Sequence, residues 1–126
     1  MAQNNIVAGL AYLFGWLSGL VVFLISKDDR FAKFHGMQSI LLNIAVVVVD
    51  IIGIVVALAL TMLIGMMGAA AGLESIAGIL ILAVWGLFVL FLLLLLLMWL
   101  WAMIQAFRGI WYKLPIIGNM AENWSR

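Results

Sequence analysis

The sequence predicts an all-α integral membrane protein: three transmembrane helices, with short interfacial helical segments on the cytoplasmic side. Three observations carry this. Of 126 residues, 69% are hydrophobic and only 9% charged, whereas soluble domains run near half apolar and a quarter charged. Three apolar runs each reach the ~20 residues that cross a hydrocarbon core. The six basic residues are also segregated: Lys27, Arg30 and Lys33 fall between the first two runs, and Arg108, Lys113 and Arg126 follow the third. Three crossings put all six on one face and none on the other, and four would divide them evenly. Cytoplasmic segments carry the Lys/Arg excess, so the reading is a multi-pass protein of the cytoplasmic membrane, N-terminus outside and C-terminus inside.

The chain reads as one membrane domain. Helix 1 covers about residues 6–26, and the basic-free tail Met1–Asn5 before it argues against a cleaved signal peptide. Ala11, Gly15 and Gly19 recur every four residues. Such a stripe lets another backbone approach closely, either within the bundle or from a second copy. A cytoplasmic loop follows at 27–36, with Asp28 or Asp29 suited to cap a short helix. There Phe31 and Phe34 would enter the headgroup region while Lys27, Arg30 and Lys33 meet lipid phosphates. Gly36 permits a bend before helix 2, about 37–67. The Gly- and Ala-rich segment 68–75 reads as an external loop, and Ser75 as the cap of helix 3, about 76–107. The tail 108–126 reads as a second interfacial segment, with Arg108, Trp111, Tyr112 and Lys113 interrupted by Pro115.

Helix 2 carries the polar candidates. At 100° per residue, His35, Ser39, Asn43, Asp50 and Thr61 project within roughly 80°, beside Gln38. Asp50 is the sharpest, since a carboxylate in hydrocarbon costs at least ~2.5 kcal/mol and marks a functional site by default. It reads either as a site for a substrate, ion or proton, or as a protonated acid bonded to a neighbouring helix. His35 reads as a latch between helices 2 and 3, near Gln38, Gln105, Arg108 and Tyr112, or as a titrating switch.

The chain has no cysteine, one His and five acids, so no cysteine-based nucleophile, disulfide or metal site is available. No phosphate-cradling loop or zinc spacing occurs. These absences predict a non-enzyme without catalytic residues, metal or cofactor. The basic residues are explained by topology and anionic lipid, which leaves no case for nucleic acid.

Two motifs, Lys27-Asp28-Asp29-Arg30-Phe31-Ala32-Lys33-Phe34-His35-Gly36-Met37-Gln38-Ser39 and Tyr112-Lys113-Leu114-Pro115-Ile116-Ile117-Gly118, together with Ala11-Tyr12-Leu13-Phe14-Gly15-Trp16, resemble a bacterial and archaeal membrane family of unknown function. That family is grouped with the channel-type subunit of the chloroplast inner-envelope (Tic) protein-import translocon. The resemblance implies a role near polypeptide translocation or membrane-complex assembly and supplies no catalytic residue. Its plastid relative has four helices, where the charge split here predicts three. The expectation is therefore a scaffold or accessory subunit that associates with lipids, a membrane protein or itself. The alternative is an oligomeric transporter or channel lined by helix 2.

Overall fold

A computed structural model describes residues 3–126; Met1 and Ala2 of the N-terminal tail lie outside the described residues. Among these the regular structure is helical: α1 (Asn5–Leu10), α2 (Trp16–Ile25), α3 (Arg30–Ala71), α4 (Glu74–Phe107) and α5 (Ile117–Trp124). The chain divides into two compact units, one of Met1–Val46 with Leu97–Arg126, the other of Val47–Leu96.

In the first unit the expected helix 1 is broken in two. Asn4 caps α1 by accepting from the Val7 N–H at 3.0 Å. Past Leu10 the chain turns, and Gly15 takes a φ of 63°, a conformation open to glycine and costly for side-chain-bearing residues. The Ser18 hydroxyl closes this turn, donating to the Ala11 carbonyl and accepting from the Phe14 N–H, both at 2.9 Å. α2 then returns toward the starting end. Asp29 joins the two ends of this excursion: its Oδ2 accepts from the Asn4 N–H at 2.7 Å and its Oδ1 caps α3 through the Ala32 N–H at 3.1 Å. A continuous helix over residues 5–25 would hold its ends about 30 Å apart. The segment is therefore a helical hairpin that begins and ends at the same end of the unit. Among the described residues two helices, α3 and α4, and not three, are long and apolar enough to cross a membrane.

Gly36, expected to bend the chain, lies within unbroken α3 and faces Gly19 of α2. A Cβ on either glycine would sit 2.8 Å from the other's carbonyl oxygen, and one on Gly36 also 2.8 Å from the Phe23 nitrogen. These neighbours are backbone and cannot step aside. Gly36→Ala is expected to destabilise the first unit by about 1–3 kcal/mol through overpacking, read as a lowered thermal midpoint in detergent.

The second unit is an antiparallel pair, the α3 and α4 segments of residues 47–71 and 74–96. The Gly/Ala-rich segment is helix up to Ala71, because Gly68 packs directly on the Ala77 methyl. The expected loop 68–75 shrinks to Gly72-Leu73. Gly72, at φ 68°, ends α3 with Leu73 N–H bonded to the Gly68 carbonyl and Gly72 N–H to that of Ala69, the glycine-terminated helix end in which two orphan carbonyls are satisfied. Glu74, not Ser75, opens α4, with its acid in the first turn where the helix dipole favours it. Gly109 ends α4 in the same way, through Ile110 and Gln105. Trp85 donates to Thr61 at 3.0 Å across the pair and Phe88 lies over Gly53. Most other side chains of this unit are exposed and apolar.

Candidate functional site

The buried polar groups of the first unit gather in one place. His35, Gln38 and Ser39 follow at i, i+3 and i+4 and so share one face of α3; their exposures are 0%, 0% and 2%. Tyr12, from the turn between α1 and α2, is fully buried against them. Gln38 donates to the Tyr12 hydroxyl at 2.8 Å and to the Tyr112 carbonyl at 3.0 Å, while its Oε1 accepts from the Leu114 N–H at 3.1 Å. The Tyr12 hydroxyl lies 2.8 Å from His35 Nδ1, and His35 Nε2 lies 3.2 Å from the Ile110 carbonyl. Because the Ile110 carbonyl can only accept, Nε2 of the neutral ring carries the proton, and Nδ1 accepts from the Tyr12 hydroxyl.

This arrangement uses Gln38 completely and engages both nitrogens of His35. It ties three segments distant in sequence: the 11–15 turn, α3, and the extended chain 110–114. Trp99 adds a fourth by donating to the Tyr12 carbonyl at 2.9 Å. Aromatic rings close the surroundings. Phe31 and Phe34 meet His35 edge-on at 4.6 and 4.9 Å, and Trp111 stacks on Phe34 at 4.7 Å. With every polar atom of Gln38 and His35 engaged at least once and both side chains fully buried, the cluster presents no free N–H to a ligand.

The structure brings His35 and Gln38 together, but their partners are Tyr12 and the tail backbone, not Gln105 or Arg108. Ser39 donates to the Gly15 carbonyl at 3.0 Å, and Asn43 lies against Gly15, where a Cβ would come within 2.5 Å of its amide nitrogen. Ala11, Gly15 and Gly19 do not make one smooth stripe, since the first two belong to the turn. Asp50 falls in the second unit, where its Oδ1 is buried without a hydrogen-bond partner.

Of the residues assigned to the membrane interface, Phe31 and Phe34 are instead core, 2% and 0% exposed, because the start of α3 is covered by the tail. Lys27, Arg30, Arg108, Trp111, Lys113 and Pro115 are exposed, Tyr112 is half-buried, and Lys33 sits 5.2 Å over the Phe23 ring. Lys113 pairs with Glu122. That hydrogen bond, with the charges of Lys113, Arg126 and Arg30, holds the Glu122 carboxyl below its usual range. The pair's contribution is thus present above the ordinary glutamate value and is lost as pH falls through the lowered one.

Tyr12 and the backbone of 110–114 are the functional groups that the sequence hid. A phenol three residues before Gly15 and a Pro-flanked tail with free amide donors are the signals that point to them.

Comparison with known proteins fits this membrane character. The model of a family described as the magnetosome magnetite crystal formation protein family matches residues 3–121. Two UPF0132 membrane proteins of Methanocaldococcus jannaschii are 30% identical over 98% of this chain, covering 90% and 71% of their own lengths. A third, from Archaeoglobus fulgidus, is 29% identical over 95% of this chain and 93% of its own. No solved structure matches. Neither the family description nor these names mention a protein-import translocon. A family match over nearly the whole length of the chain, with relatives named as membrane proteins, places the chain in the MamF/MmsF family of small membrane proteins, the magnetosome magnetite crystal formation protein family.

Proposed function

We propose that this chain is a non-enzymatic membrane scaffold or accessory subunit, acting in membrane-complex assembly or in polypeptide insertion and translocation. The observation that carries the reading is the closed Tyr12–His35–Gln38 cluster. Its polar atoms are engaged in holding chain segments together, which suits a rigid platform. The family description names magnetite crystal formation. Among the described residues no three His, Asp or Glu side chains gather as a metal site would require, so the proposed contribution is membrane organisation. The bilayer is the cytoplasmic membrane, with the basic segments 27–33 and 108–126 inside. The partner is a second membrane protein or another copy of this chain.

The apolar tip of the α1–α2 hairpin is the surface to probe, because Phe14 is 73% exposed. A photocrosslinking residue at Phe14 in living cells is expected to capture a distinct membrane protein, a nascent chain or a second copy. Capture of lipid alone would overturn the scaffold reading.

One observation favours the transporter alternative, the unpartnered Oδ1 of Asp50. The scaffold reading expects Asp50→Asn to change stability by less than about 0.5 kcal/mol, and Asp50→Lys to cost about 2.5–3.5 kcal/mol if the site lies in hydrocarbon. It also expects no ion or proton flux in reconstituted vesicles. Flux that Asp50→Asn abolishes would establish transport instead.

A further inference from the structure

The C-terminal helix carries an outward face that packing does not explain. α5 is seated on α3 through Ala121 and Ile117, which meet Phe34, Met37 and Leu41. Those three lie on successive turns of one side of α3, so α5 lies beside that helix and does not cap its end. Its outward side carries Ile116, Met120 and Trp124, spaced by four, with exposures of 77%, 38% and 57%, beside exposed Asn119 and Asn123. This face looks sideways from α3, the direction in which lipid surrounds a membrane helix.

Ile116 is also strained. It has φ 65° and ψ −56°, and the Ile117 N–H bonds back to the Pro115 carbonyl at 2.6 Å. This is a γ-turn of the rare positive-φ kind, and a β-branched residue is a poor occupant of it. Glycine would relieve the strain. Nothing inside the protein rewards isoleucine here, because its side chain is almost wholly exposed. Strain kept for an outward-facing apolar side chain points to an external contact.

Cations gather on the other side of α5, around Glu122. Lys113 pairs with Glu122, and Arg30 and Arg126 are near enough to act on the same carboxylate. Three bases act on this one acid, so the side of α5 opposite the apolar stripe is net positive.

We infer that α5 is a membrane-interface foot: Ile116, Met120 and Trp124 enter the boundary between headgroups and acyl chains, and Arg30, Lys113 and Arg126 meet the phosphates of anionic phospholipids. Apolar area and headgroup charge act together in such contacts. The inference rests on the membrane placement above but not on the scaffold role.

The test uses the full chain in nanodiscs of phosphatidylcholine with or without phosphatidylglycerol. The sequence has no cysteine, so Met120→Cys carries the only fluorophore, with Asp28→Cys as the aqueous reference. The position-120 label is expected to be quenched by lipids brominated high on the acyl chain, and more strongly with phosphatidylglycerol present. Adding Ile116→Gly is expected to raise the thermal midpoint yet lower that quenching by about twofold. Arg30→Gln with Arg126→Gln is expected to remove the dependence on phosphatidylglycerol.

A label quenched no more than the Asp28 reference would overturn the foot. So would a label shielded from both bromolipid and aqueous iodide, which would mean that protein covers α5. Quenching indifferent to phosphatidylglycerol would overturn the phosphate contacts. None of these results bears on what Phe14 captures.

Discussion

Replacing Gln38 with leucine is expected to release the C-terminal tail from α3 and to cost the first unit about 2–5 kcal/mol. The amide makes three bonds there: two donated, to the Tyr12 hydroxyl and the Tyr112 carbonyl, and one accepted, from the Leu114 N–H. Leucine fills a similar volume but leaves the Tyr112 carbonyl and the Leu114 N–H without partners in a buried place. Each such orphan costs about 1–3 kcal/mol. Because Leu114 is itself core, at 2% exposure, the tail can recover water only by lifting away. Lys113 would then become a ready tryptic site, so the measurement is the rate of cleavage after Lys113 in detergent, alongside the thermal midpoint. Tyr12→Phe should act through the same network with a smaller loss, since it orphans only His35 Nδ1 and one Gln38 N–H. In a double-mutant cycle the two should couple by about 0.5–3 kcal/mol, as contacting residues do. Wild-type cleavage and midpoint in Gln38→Leu, or strict additivity with Tyr12→Phe, would refute a shared network.

The sequence made the helical class and the two long apolar helices legible, because hydropathy over 20 or more residues depends on composition alone. It did not show the return of the chain at Gly15. An apolar run that crosses and one that turns back bury the same residue types, and here the difference lies in one backbone angle and the Ser18 hydroxyl. Read as a periodic stripe, Gly15 looked like a packing surface, although its φ of 63° makes it the turn itself. The same blindness misplaced Phe31 and Phe34. Their spacing gave a correct apolar face, but whether lipid or protein covers it depends on a tail some 80 positions later. His35 and Gln38 were visible as polar groups on helix spacing. Their partners were not, because carbonyls and amides of an irregular segment have no signature in residue identity. Gly68 was misread for the opposite reason: local rules end a helix at a Gly/Ala run, and contact with Ala77 overrides them.

Single cysteines at Gln3, Asp28 and Leu73 are expected to label in two groups, Gln3 with Asp28 and Leu73 apart. The expectation follows from the bond between the Asn4 N–H and Asp29 and from the Gln3 side chain reaching the Gly109 carbonyl at 3.2 Å. These contacts hold the N-terminal segment, the first loop and the end of α4 together. An impermeant thiol reagent applied to intact cells should reach Leu73 and spare the other two, and inverted vesicles should reverse the pattern. Gln3 labelling together with Leu73 would restore a first crossing and break the hairpin. The charge pattern alone could never have decided this. No Lys or Arg lies before Lys27, so moving the N-terminus from one face to the other leaves the count at six bases against none. Positive charge orients a segment only where it is present. At this N-terminus the marking is done by an aspartate that caps one helix while holding the backbone of the residue that caps another.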